Sequence, residues 1–127
     1  MAIKAPVTKQ ASTLDGSVYY AVWTALLNGD SGSPVSGAEW ADRTIQFAGT
    51  FGVGGSVKLQ GTLDADPLSA NYFDLTDGQG NAITKTAAGI ESVIELCQWV
   101  KPVVTAGDGT TSINATMLMR RANPLRQ

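Results

Sequence analysis

Histidine is absent from the sequence, and cysteine occurs once, as Cys97. The first absence removes the commonest general base and the commonest transition-metal ligand. The second excludes an intrachain disulfide framework. Charge is scarce as well: Asp, Glu, Lys and Arg make up 16% of the 127 residues, against roughly 25% in typical globular domains. A formal net charge of −2 is too small to argue for a nucleic-acid or membrane partner. No apolar run approaches the roughly 18 residues that span a bilayer. The opening stretch MAIKAP has no apolar core of signal-peptide length. Synthesis and retention in a cytoplasm-like compartment is therefore the expectation.

What remains is a surface of Thr, Ser, Asn, Gln and Gly. It suits close packing against copies of the chain or against a partner, although charge-poor monomers also exist. The length fits one domain with a real core.

The chain is organised around residues 43–64. Ile45, Phe47 and Phe51 fall on one parity and Thr44, Gln46 and Thr50 on the other. After the glycine-rich stretch 52–55, Val57, Leu59 and Leu63 alternate with Ser56, Lys58, Gln60 and Thr62. Period-two alternation marks half-buried strands, and the glycines suit a tight hairpin reversal. Residues 18–27 are β-branched and aromatic on both parities, which fits a strand covered on both faces, in the core or against another chain. The turn cluster 28–34 ends it. Residues 35–42 read as a loop in which Trp40 either caps the core or joins a contact surface. Trp23 and Trp99, on strands, read as core residues unless both are exposed, which would mark an interface.

Residues 71–76 read as a strand, 77–81 as a turn and 82–86 as a short returning strand. Residues 89–104 read as extended with an irregular point near 96–99, Pro102 lying on an edge or at a bulge. Residues 106–109 form an Asp-Gly hairpin signal. The last strand, 110–120, turns Ile113, Ala115, Met117 and Met119 to one face. Seven or eight short strands without alternating helices predict an all-β, single-domain antiparallel β-sandwich of jelly-roll kind. Residues 1–13 read as an extended N-terminal arm, 14–121 as the sandwich, and 122–127 as a C-terminal tail.

Chemistry-bearing motifs are weak. Residues 52–55 lack the Gly-Lys-Ser/Thr closure of a phosphate loop and precede a strand, whereas such loops precede a helix. Asp64, Asp66, Asp74 and Asp77 do not match a calcium loop, and Asp or Asn beside Gly commonly forms turns. Cys97 has no histidine to activate it and reads as a buried structural thiol. No Gly-x-Ser-x-Gly elbow is present. The Asn114-Ala115-Thr116 sequon carries no meaning in a strand that is not secreted. No catalytic residue, cofactor or metal is expected.

Taken in series, WTALLNGDSG (23–32), QFAGTFG (46–52), LQGTLD (59–64), LTDGQGN (75–81) and KPVVTAGDGTT (101–111) resemble small virion structural proteins of tailed bacteriophages, of the capsid decoration or cement type. The resemblance spans about residues 23–121 and rests on strand and turn signatures. It implies a jelly-roll β-sandwich that sits in many copies on the outer capsid surface. There it would bridge major capsid protein subunits as a homo-oligomer, dimer or trimer, after synthesis in the host cytoplasm. The candidate contact residues are Lys4, Pro6, Lys9, Trp40, Gln46, Lys58, Gln60, Arg120 and Arg121. Two alternatives stand beside it. One is a tail, fibre or head–tail junction component of the virion. The other is a carbohydrate-binding module using Trp40, Tyr72 and Asp74.

Overall fold

The structure, a computed structural model, describes residues 3–4, 7–10, 18–37, 40, 42–68 and 71–120. Every regular element among them is a strand: β1 (Ile3–Lys4), β2 (Val7–Gln10), β3 (Val18–Leu26), β4 (Ser31–Gly32), β5 (Val35–Ser36), β6 (Asp42–Thr50), β7 (Ser56–Thr62), β8 (Phe73–Asp74), β9 (Thr84–Lys85), β10 (Gly89–Val93), β11 (Trp99–Ala106) and β12 (Ser112–Arg120). They form two sheets. The first has the order β1-β4-β11-β7-β8, with β5 also on β11 and β9 also on β7. The second has the order β10-β6-β12-β3-β2. All pairings are antiparallel except the short β1–β4 ladder.

Two of the strands are interrupted. Ser33-Pro34 separates β4 from β5, and between β8 and β9 residues 76–82 protrude from the sheet while Leu75 and Ile83 stay bonded to Leu59 of β7. Treating each pair as one strand leaves four strands per sheet beside the N-terminal additions, with the chain wrapping repeatedly between sheets. That is jelly-roll connectivity, as the alternating pattern predicts.

The core forms where the apolar parities of the two sheets meet. Trp23, Ile45, Phe47, Val57, Leu59, Val100, Ile113, Ala115 and Met117 are fully buried there. Truncating one of the large side chains costs about 3–5 kcal/mol, the transfer term plus a cavity. Trp23 also donates its indole N–H to the Ser33 carbonyl at 3.0 Å. Leu63 departs from the expected parity. It lies beyond the end of β7 and is exposed, because the ladder that would have turned it inward stops at Thr62.

The reversal at residues 52–55 is not a hairpin. β6 belongs to the second sheet and β7 to the first, so the glycine stretch is an arch that carries the chain across the core. Residues 107–111 do the same between β11 and β12, in place of the expected Asp-Gly hairpin. A third crossing, residues 27–30, joins β3 to β4 at the same end. The three are bound to one another. Val53 N–H donates to Asp108 Oδ2 at 2.9 Å, Thr111 Oγ1 donates to the Phe51 carbonyl at 2.8 Å, and Asn28 Nδ2 donates to the Gly107 carbonyl at 3.2 Å. Gly52 has φ +73°, and a Cβ there would meet Asp108 Oδ1 at 2.3 Å. Glycine is required at that position by the docking of the two arches.

Pro102 is also placed differently from expectation. It lies inside β11, a central strand, opposite Leu59 and buried. Leu59 directs its N–H and carbonyl away from β11, to the carbonyl of Ile83 and the N–H of Leu75. The Leu59–Pro102 position is therefore a non-hydrogen-bonded pair of the antiparallel ladder. The proline nitrogen faces the interruption between β4 and β5, where no ladder bond is lost.

The stretch read as an arm contributes two edge strands. Ile3 and Lys4 pair with Ser31 and Gly32, and Val7, Thr8, Lys9 and Gln10 pair with Val22, Ala21, Tyr20 and Tyr19. The tail, 122–127, lies outside the described residues.

Candidate contact surfaces

The arches decide which polar side chains share a surface. A hairpin would have placed Gln46, Lys58 and Gln60 on one face. Because β6 and β7 lie in different sheets, Gln46 faces outward from the second sheet, and Lys58 and Gln60 face outward from the first.

On the first sheet the outward row across β8, β7 and β11 is Asp74, Gln60 and Lys101. Gln60 Nε2 donates to Asp74 Oδ1 at 3.1 Å, and Lys58 Nζ lies 3.0 Å from the same oxygen. The hydrogen bond from Gln60, then the one from Lys58, holds the Asp74 carboxyl below its ordinary range. The stretch before β8 folds over this face. Tyr72 covers Lys101, whose Nζ is 4.1 Å from the ring centroid, a cation–π geometry. The Tyr72 hydroxyl donates to the Pro67 carbonyl at 2.8 Å, and Trp99 Nε1 donates to the Ala65 carbonyl at 3.0 Å. Burial raises the Tyr72 phenol pKa, with Asp66 and Asp64 adding to it, and burial lowers that of Lys101.

The second sheet presents a different surface. Its outward rows are Ile90, Gln46, Thr116 and Val22, then Ser92, Thr44, Leu118 and Tyr20. Ile90 and Leu118 are exposed, and Val22 and Tyr20 half-buried. Lys9 takes the register position opposite Tyr20. Among the described outward side chains of this sheet, charge is confined to one end, where Arg120 Nε donates to Asp42 Oδ2 at 3.1 Å. Residues 18–27 were expected to be covered on both parities. Ala21, Trp23 and Leu26 are buried, and the opposite parity, Tyr20, Val22 and Thr24, forms part of this open face.

The other predicted contact residues divide clearly. Lys4 is placed on β1, and Pro6 and Arg121 lie outside the described residues. Trp40 takes the core-capping one of its two readings and so leaves the contact set: it is 7% exposed and packs at a tilt on Tyr19, ring centroids 5.5 Å apart. It caps the core, where its large apolar area is removed from water, and offers no contact surface. That also separates it from Tyr72 and Asp74, so the three residues proposed for sugar binding do not form one cleft. Tyr72 has Lys101 against its ring and its hydroxyl on Pro67.

Arg43 had no place in the sequence reading, yet it organises the end opposite the arches. It faces inward and is buried. Nη1 donates to the carbonyls of Gly37 (3.0 Å) and Trp40 (3.1 Å), and Nη2 to the carbonyl of Glu95. One guanidinium thus ties the 37–41 crossing to the 94–98 crossing. Burial lowers its pKa while Cys97, Glu95 and Asp42 oppose that. No local signal marks the tie between the crossings, because the Glu95 carbonyl lies 52 residues away in sequence.

No group of three His, Cys, Asp or Glu among the described residues is placed to hold a metal ion. Asp77 Oδ1 accepts from the N–H groups of Gln79 (2.8 Å) and Asn81 (3.1 Å), which makes it a turn former. Cys97 is buried, and burial raises its thiol pKa, which disfavours the thiolate.

No family model and no curated protein matches the sequence. Among solved structures the chain is similar to the SPBc2 prophage-derived protein YomS, with a TM-score of 0.59 at 10% identity over 80% of this chain and 93% of that one. A cupin protein from Bacteroides fragilis superposes with a TM-score of 0.45 at 11% identity, over 95% of this chain and 80% of that one. HppE in complex with substrate gives 0.44 at 13% identity, over 90% of this chain and 52% of that one. At the identity of the prophage-derived protein the likeness shows the fold, an all-β antiparallel sandwich.

Proposed function

We propose that the chain is a bacteriophage virion structural protein that decorates the capsid shell and stabilises it by bridging major capsid protein subunits. The observation that carries this reading is the outer face of the second sheet. It has uncovered apolar side chains, Ile90 and Leu118, and its described charges are confined to one margin. Such a face gains from being covered, and its uncharged centre incurs little of the desolvation cost that charged groups impose. The likeness to a prophage-derived protein supports a phage setting, and the role requires no active site. Copies held side by side on a repeating shell add weak contacts into strong net binding.

The test is the copy number in purified virions, read by quantitative gel densitometry. Hundreds of copies per particle are expected. A dozen or fewer would overturn the shell assignment in favour of the tail, fibre or head–tail junction. Particles assembled without the chain should lose infectivity faster on heating and in low salt, and adding the purified protein back should restore them.

A further inference from the structure

The end of β7, β8 and the 94–98 crossing enclose a groove of about 490 Å³ on the edge of the first sheet. Gly61, Leu75 and Cys97 are its buried floor. Leu63, Phe73 and Leu96 stand round it with 78%, 67% and 60% of their surfaces exposed. Three large apolar side chains left open around one hollow mark a surface that gains from being covered. The charged groups among the lining residues are all acidic: Asp64, Asp74 and Glu95. Each accepts hydrogen bonds within the fold, from the N–H of Asn71, from Gln60, and from Thr76, and Asp74 is also paired with Lys58 at 3.0 Å, which leaves Asp64 and Glu95 as the stronger acidic partners. A carboxylate has further lone pairs, so each can accept from a cation as well.

We propose that this groove receives the C-terminal segment of a second copy of the chain. That segment, Arg121-Ala122-Asn123-Pro124-Leu125-Arg126-Gln127, places a leucine and a proline between two arginines and has no acidic side chain. Its apolar pair fits the apolar hollow, and its arginines match the carboxylates, with bidentate geometry available to each. Reach favours the second copy over the chain's own tail. The segment leaves from Arg120 on β12, two strands in from the β10 edge, while the groove is at the β8 edge of the other sheet. Two strand spacings of about 4.8 Å and one intersheet gap of about 10 Å make a path of roughly 20 Å. Leu125 is the fifth residue beyond Arg120 and reaches at most about 17–18 Å, so in cis it stops short of the hollow. The contact is then heterologous, tail of one copy into groove of the next, and closes into rings or runs on as a chain of copies. It holds in solution, with or without a capsid shell.

Sedimentation of the full chain over a concentration series tests this. The chain is expected to associate as concentration rises. Leu125→Asp in the tail and Phe73→Ser in the groove should each weaken association at least tenfold. The decisive measurement mixes the two variants. One supplies an intact groove and the other an intact tail, so the mixture should form dimers and nothing larger. Phe73 is mostly exposed, and an unchanged urea midpoint shows that the variant folds; Leu96→Ser replaces it if the midpoint falls. A monomeric wild-type chain overturns the proposal. So does a groove variant that associates normally, or a mixture that remains monomeric, which is the outcome if each tail serves its own groove or the groove takes another partner.

Discussion

Across the outer face of the first sheet runs the row Asp74, Gln60, Lys101; across that of the second runs Ile90, Gln46, Thr116, Val22. On the first, each charged group has a partner: Asp74 takes Gln60 and Lys58, and Lys101 lies under Tyr72. On the second, apolar side chains stand open and no charge interrupts the middle. Both faces come from strands of the same alternating kind. They differ because residues 63–68 and 71–72 lie over the first sheet and no described segment covers the second. A face whose polar groups are already satisfied gains little from a partner, whereas an open apolar one gains by burial at roughly 25 cal/mol per Å². The proposed capsid contact is therefore assigned to the second sheet.

The largest test of that difference is a charge placed at the centre of each face. Thr116→Arg would bury an unpaired cation in the proposed contact, which costs about 3 kcal/mol or more. Binding to shells lacking the protein should fall at least a hundredfold, measured by co-sedimentation. Gln60→Arg, on the other face, should change binding less than twofold. Stability should move by about 0.5 kcal/mol or less for Thr116→Arg, as for most surface substitutions. Equal effects of the two on binding would remove the distinction between the faces.

Next in size is Tyr72→Ala on the first face. It removes the ring over Lys101 and the hydroxyl bond to Pro67. A cation–π contact and a hydrogen bond are each worth about 1 kcal/mol, so urea unfolding should show a loss of about 2 kcal/mol. Shell binding should stay unchanged. A stability effect near zero would mean that the loop does not hold the first face closed.

Much of this architecture is legible in the sequence because burial follows parity. Ile45 and Phe47, Val57 and Leu59, and the run Ile113 to Met119 all point inward as their alternation predicts. Parity is silent on which sheet a strand joins. A glycine-rich reversal between alternating strands reads identically as a hairpin and as an arch, so residues 52–55 and 107–111 gave no warning that they cross the core. That one ambiguity split the proposed contact set, sending Gln46 to one face of the sandwich and Lys58 and Gln60 together to the other. Arg43 was hidden for a related reason: its charge suggests a surface, and the carbonyls that its Nη1 and Nη2 reach come from two separate crossings. Pro102 was misplaced because the gap that tolerates it lies in the neighbouring strand.

Acid acts on the two halves of this comparison unequally. The carboxyls held below their ordinary range are Asp74 on the first face, Asp77 and Glu95 near its edge, and Asp108 in the arches. Hydrogen bonds from Thr110 and from the Val53 N–H take Asp108 down to about 2. A carboxyl whose folded pKa is depressed stabilises the fold above its unfolded value, and loses that contribution as pH falls through the folded one. Stability should therefore be level from neutral pH to about 5 and decline between about 4 and 2. Asp108→Asn should flatten part of the decline, and Thr116→Arg should leave its shape unaltered. A decline that begins near pH 6 would assign acid sensitivity to other groups.

The smallest effect comes from the ion pairs, one per face. Lys58 and Asp74 are 3.0 Å apart with side chains 24% and 49% exposed, and Asp74 retains Gln60 if the lysine is removed. Arg120 and Asp42 form the pair at the margin of the second face, more exposed on both sides. Exposed pairs are worth about 0–1 kcal/mol and less in high salt. Lys58→Met and Arg120→Met should each lower stability by about 0.5 kcal/mol, and about 0.5 M salt should erase most of either loss. Stability alone cannot separate them. Binding can: Arg120→Met alters the rim of the proposed contact, where charges set the association rate, and should slow binding at low salt while leaving dissociation unchanged. Lys58→Met should do neither, because its charge is already spent on the opposite side of the molecule.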